Sequence, residues 1–338
     1  MTVHEHDSPR IEARTRDGIG LFALVVPRAE AEVVVCPAAG FSAVSFKVGG
    51  GEFLHLPSAL APFVGAVRTG GIPLLHPFAN RLRGTRWSFE GRIVDPDATP
   101  FRHADGRGLP MHGYLLRWPG LAGDGRWEIR TASDAGWAQI EASIDWGSQG
   151  DLMSAFPFPH RLTQRYRLDG RTLEVETSVE PRDRAMPVSF GWHPYFRVPG
   201  ATRAVLSLSL PRLAHVALDE GGLPIREGGR LQETDRLPRR AALAEETFDD
   251  LFRLGEPTGS VTLAAGDASV VIEPRPGIRF LQVYSPAGQD FAAIEPMTAP
   301  TAALDDGGPD LPVVEVGEVF SAGFRVTVRR GPVAGGPS

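Results

Sequence analysis

HRLTQRYRLDGRTLEVETSV, residues 160–179, decides the fold class. Apolar residues fall on alternate positions on both sides of Asp169-Gly170: Leu162, Tyr166 and Leu168 before it, Leu173, Val175 and Val179 after it. Successive side chains of a strand point to opposite faces, so each arm reads as a half-buried strand. Asp-Gly between two such runs is a strong hairpin signal, because a type I′ turn needs positive φ at both central positions. The segment predicts an antiparallel hairpin turning at Asp169-Gly170.

The same period of two recurs outward. It runs through residues 41–48 (FSAVSFKV) and 137–146 (WAQIEASIDW), and through the last run, VFSAGFRVTVRR at 319–330. Glu90-Gly91 and Gly266-Asp267 mark weaker hairpin turns. Helical patterning is scarce, and residues 58–67 (SALAPFVGAV) hold the best short stretch. The chain carries 39 glycines and 30 prolines, about one residue in five, which favours short strands and turns over long helices. No internal repeat or domain-sized linker breaks the 338 residues. The expectation is an all-β fold, a large antiparallel β-sandwich forming one domain over residues 1–338, frayed at about 1–12 and 331–338.

Composition narrows the function classes. Thirty-five basic residues face 41 acidic ones, a net charge of −6, and no basic stripe argues for nucleic acid. No apolar run reaches the length of a membrane span, and MTVHEHDSPR lacks a signal-peptide layout, so a cytoplasmic protein away from the membrane is expected. Cys36 is the sole cysteine, which excludes an internal disulfide and a thiolate metal site. Lysine occurs once, at Lys47, and asparagine once, at Asn80. A single lysine makes Schiff-base chemistry a poor theme.

Five segments hold residues suited to chemistry. GGIPLLHPFANRLRG, residues 70–84, is too rich in Gly and Pro for a regular strand and brings His76, Asn80, Arg81 and Arg83 together. Amide and guanidinium donors side by side suit vicinal hydroxyls, although a solvated surface loop would read the same way. MHGYLLRWP, 111–119, offers His112 beside aromatic residues. In VSFGWHPYFRVPG, 188–200, Pro194 biases His193 toward extended backbone among aromatic rings, a setting for a proton donor or for a core histidine. FAAIEPMTAPTAAL, 291–304, ends an apolar run on Glu295, whose desolvation would make it a better base. TFDDLF, 247–252, supplies Asp249 and Asp250.

In this order the segments resemble the aldose 1-epimerase (galactose mutarotase) family, over roughly residues 30–330. The matching pieces are PFANR at 77–81, HG at 112–113, HPYF at 193–196, FDDLF at 248–252, LQVYSP at 281–286 and EP at 295–296. His76 departs from the aromatic or aliphatic residue many members carry there. The resemblance implies a galactose mutarotase-like supersandwich with a sugar cleft across one sheet. It implies Glu295 as general base on the C1 hydroxyl and His193 as general acid at the ring oxygen. Arg81, His112 and Asp249 (or its neighbour Asp250) would position sugar hydroxyls, supported by Asn80 and Gln282.

The expected activity is interconversion of the α and β anomers of a free hexose, with an aldose as the small-molecule partner. It needs one base and one acid, and no metal, nucleotide or redox carrier. Neither a preferred aldose nor an oligomeric state, monomer or dimer, follows from the residues. Two alternatives stay open: a hexose-6-phosphate 1-epimerase using Arg83, Arg86 and Arg117, and a non-catalytic sugar-binding protein on the same fold. A glycoside hydrolase fits less well, since it needs two flanking carboxylates and only Glu295 has a suitable setting.

Overall fold

A computed structural model describes residues 7–65, 70–84, 86–95, 126–236 and 238–330. The opening segment forms the expected hairpin, strands His160–Asp169 and Thr172–Pro181. Its turn lies one residue later than the spacing predicts. Asp169 pairs with Thr172, so Gly170 and Arg171 make the loop, and Gly170 alone has positive φ (57°). A glycine at the first central position is the type II′ arrangement, which joins twisted strands as well as I′ does. Glu90-Gly91 does form a turn with both φ positive, 48° and 77°, and so does Asp17-Gly18, whose Asp-Gly signal was equally available. Of the helical stretch 58–67, Leu60–Gly65 forms a helix, and residues 66 and 67 lie outside the described residues.

Among the described residues the strands assemble into three main sheets, and every ladder between named strands is antiparallel. Nine strands form one sheet, with the His160–Asp169 and Thr172–Pro181 hairpin beside the long Phe320–Arg330 strand. Five N-terminal strands, from Arg10–Arg16 to Gly51–Glu52, form another. In the eight-stranded sheet, Phe248–Leu254, Phe280–Ser285 and Ala292–Met297 are successive neighbours, and Ala292–Met297 then meets Gly191–Trp192 and Tyr195–Phe196.

One hydrophobic cluster joins all three sheets. It contains Val33 and Phe46 of the five-stranded sheet, Ile140, Tyr166 and Phe324 of the nine-stranded sheet, and Leu281, Val283 and Ile294 of the eight-stranded sheet. Period-two alternation then turns the next residues of the eight-stranded sheet outward. Phe280 and Met297 belong to a separate small cluster with Leu75, Ala79, Val216 and Leu251, while Ala293 packs with Tyr195 and Phe291. The face opposite the core therefore carries two apolar islands, with Gln282 and Glu295 between them in the strand register. This face holds the candidate site.

Candidate active site

Glu295 lies in the middle of Ala292–Met297, with Ala292 and Ile294 sunk in the core and Ala293 and Met297 on the outer face. It is 2% exposed. His193, 5% exposed, occupies the two-residue break between Gly191–Trp192 and Tyr195–Phe196. Pro194 biases that break toward extended backbone, and the His193 amide donates to the Pro73 carbonyl (3.1 Å). Gly191 permits the close approach: a Cβ there would stand 2.7 Å from the Pro296 carbonyl. His193 Nε2 and Glu295 Oε1 consequently sit 3.2 Å apart.

Gln282 is the register partner of Glu295 on the next strand, and Asp249 lies one strand further. Gln282 Nε2 donates to Asp249 Oδ1 at 2.7 Å. Asp250 takes the other face and pairs with His215 at 2.8 Å, beside Phe252. The one-residue ambiguity thus has a geometric answer: Asp249, and not Asp250, shares the face of Glu295.

The 70–84 segment divides its candidates. Asn80 adopts φ 59°, a left-handed conformation that asparagine tolerates, and its Oδ1 accepts from Arg81 Nη1 at 3.2 Å. The Arg81 carbonyl accepts from the Ala302 amide (2.9 Å), which fixes the loop beside the strand end after Glu295. His76 turns into the core instead. Its Nε2 meets His160 Nε2 at 3.0 Å, and its ring lies T-shaped against that of Trp146. Arg83 grips Asp306 with two bonds of 2.8 and 3.0 Å and donates to the Pro224 carbonyl. His112 and Arg117 lie outside the described residues.

Two tyrosines escaped the sequence reading as site residues. Tyr195 stacks on His193 at 4.4 Å between centroids, with its hydroxyl 3.3 Å from Nε2. Tyr284 follows Gln282 by two residues, so strand alternation alone would have turned it to the same face.

Electrostatics oppose charge here. Burial and the nearby Asp249 carboxylate push Glu295 well above the usual carboxylate range, and Arg81 acts against them. Burial draws His193 down to about 3. Burial also raises Tyr284, helped by the charges of Asp249 and Glu295. At this site Arg81 Nε, Gln282 Oε1 and Glu295 Oε2 are buried without a hydrogen-bond partner among the described residues. Each carries a desolvation cost of about 1–3 kcal/mol until something polar meets it.

The sequence profile of the aldose 1-epimerase family matches residues 28–327. The chain belongs to the aldose 1-epimerase family. Solved structures agree on the fold at low identity. A galactose mutarotase-like protein from Clostridium acetobutylicum superposes with TM-score 0.79 at 17% identity, covering 96% of this chain and 99% of the other. Galactose 1-epimerase from Lactobacillus acidophilus gives 0.73 at 18%, covering 96% and 99%. An aldose epimerase homologue from C. elegans gives 0.66 at 14%, again covering 96% and 99%. No curated protein sequence matches the chain. The aldose 1-epimerase fold places the His193–Glu295 pair on an outward sheet face, between the two apolar islands. Among the described residues no group of three or more His, Cys, Asp or Glu side chains gathers as a metal-ligand set, and no helix is long and apolar enough to cross a membrane.

Proposed function

We propose that the protein interconverts the α and β anomers of a free hexose by general acid–base ring opening and closure. The observation that carries this reading is the 3.2 Å separation of His193 Nε2 and Glu295 Oε1. The reaction moves protons at O1 and O5, two oxygens on one carbon, so its base and acid must stand side by side. A glycoside hydrolase would instead hold two carboxylates about 5 to 9.5 Å apart across a bond.

Glu295 takes the proton of the O1 hydroxyl as the C1–O5 bond breaks. The bonding pair stays on O5, which receives a proton from His193, while a lone pair of O1 completes the carbonyl. Rotation about C1–C2 presents the other face, and closure reverses each transfer. The pair therefore begins as carboxylate and imidazolium and stands as carboxylic acid and imidazole once the ring is open. Both states hold the same number of protons. Burial favours the neutral pair, Arg81 favours the carboxylate, and sugar hydroxyls bonding Glu295 favour it further. Activity should accordingly follow a bell in pH whose limbs belong to the pair and not to either residue alone.

Arg81, Asn80, Asp249 and Gln282 position the hydroxyls, with His112 joining them from the 111–119 segment. The unpartnered Arg81 Nε, Gln282 Oε1 and Glu295 Oε2 support an oxygen-rich ligand. His193→Asn should leave sugar affinity near its wild-type value and lower kcat by about 100-fold, as loss of a proton donor does. Calorimetry with stopped-flow polarimetry separates the two effects.

The decisive experiment for the reading is polarimetry of freshly dissolved α-glucose and α-galactose, each with and without protein. Failure to accelerate either one overturns it. The same assay on the 6-phosphates tests the alternative substrate. A neutral sugar is favoured because Arg83 already pairs with Asp306 and Arg86 with Asp95. Arg83→Ala should lower Tm and leave the preference for free hexose intact. A preference for the 6-phosphate that this substitution abolishes would reverse the assignment.

A further inference from the structure

We infer that the tight turn at residues 219–223 is the wall that aims Arg81 at the cleft, with Gly222 as a positioning residue. The inference rests on the reading of Arg81 as a sugar-binding group. Asp219 builds the turn: its Oδ1 accepts the Gly221 and Leu223 amides at 2.7 and 3.0 Å, its carbonyl accepts the Gly222 amide, and its own amide donates to the Leu223 carbonyl. Leu218, bridged to Pro224, packs on the apolar island of Leu75, Ala79 and Met297. Arg83 binds both Asp306 and the Pro224 carbonyl, and Arg226 also binds Asp306, so the far side of the turn is anchored.

The tip of the anchored turn meets Arg81. Gly222 has φ +70°, and a Cβ built on it would stand 3.0 Å from Arg81 Nη1 and 3.5 Å from Cζ. Glycine is therefore needed twice, for the backbone conformation and for the approach. With Nη1 held between Asn80 Oδ1 and Gly222, the guanidinium has one place to lie, and its buried Nε remains the donor without a partner. A methyl at 222 would move the flexible end of Arg81 more readily than the doubly anchored turn.

Three variants test this. Gly222→Ala adds the methyl, and Asp219→Ala removes the carboxylate that stiffens the turn. Gly228→Ala is the control, because Gly228 has a similar φ of +56° and nothing within 4 Å of its virtual Cβ. The Arg81 Nε–Hε resonance, assigned by its loss in Arg81→Lys, should shift or broaden in the first two variants and stay unmoved in the third. KM for hexose should rise about tenfold in Gly222→Ala with kcat nearly unchanged, the pattern of lost ground-state binding. In an Arg81→Ala background the Gly222→Ala effect on KM should vanish. An unmoved Arg81 resonance in both Gly222→Ala and Asp219→Ala overturns the inference, as does a KM effect that persists in full without Arg81. A wild-type protein that fails to accelerate mutarotation would sink the functional reading instead, and the resonance would still decide the positioning.

Discussion

Glu295→Gln is expected to give a protein that binds hexose, turns it over about 1,000-fold more slowly, and is more stable than the wild type. The rate falls because an amide keeps the shape and a hydrogen bond to O1 but accepts no proton. The stability gain follows from burial. The folded-state pKa of Glu295 lies well above its unfolded value, so its contribution is complete below about pH 4.5 and is lost as pH rises through the folded value. At pH 8 the unfolded wild type carries a Glu295 carboxylate that folding must either bury or protonate, a cost the Gln variant lacks. The gap in Tm between the two should be widest there and close toward pH 4.5. Thermal melts across that range check the sign, and a variant less stable than wild type at pH 8 would contradict it.

The second large effect belongs to a pair of histidines the chemistry does not use. His160 Nδ1 lies 2.7 Å from the Phe158 carbonyl, which only accepts, so Nδ1 carries the proton and Nε2 is bare. His76 Nε2–H must then be the donor across the 3.0 Å contact, which leaves His76 Nδ1 without a partner among the described residues. An added proton has no acceptor. Burial holds His160 down at about 4 and His76 well below its usual value, with the neighbouring His160 opposing its charge as well. The unfolded chain takes up these protons near pH 6.5. Stability is therefore full above that value and declines toward pH 4, by about 2 kcal/mol at pH 5 and 3 at pH 4 for His160 alone. His193, also depressed, adds a slope of the same sign. The histidine pair's share is thus the difference between wild type and the double variant His76→Leu, His160→Leu, which should lose much less stability between pH 7 and 5 in urea titrations. His160→Leu alone should cost about 1–3 kcal/mol at pH 7, because it strands the His76 donor.

This pair also marks where sequence reading stops. In GGIPLLHPFANRLRG nothing separates a histidine bound for the cleft from one bound for the core, since the segment has no strand period to assign faces. His160 opens the very hairpin that reveals the fold, 84 residues away from its partner. Arg83 is similar: its partner, Asp306, is 223 residues distant, and only the folded chain discloses that the guanidinium is engaged. Where a regular strand carries the group, the outcome was legible. Alternation in FAAIEP and FLQVYS turns Glu295 and Gln282 to one face, and it would have chosen Asp249 over Asp250 once Phe248 and Phe252 were assigned to the core. The one-residue shift of the Gly170 turn reflects a local contest between I′ and II′ geometries, which Asp-Gly-Arg-Thr leaves undecided.

The alternation of Ile294 and Glu295 along one strand has a consequence for descent. The inward residues hold the sheets together, and the outward residues meet loops, small apolar islands and one another. A lineage can therefore rewrite the outward set, one position at a time, without passing through ancestors that fail to fold. Selection on the outward face and selection for a durable scaffold act on interleaved letters of the same short word, and neither needs to wait for the other.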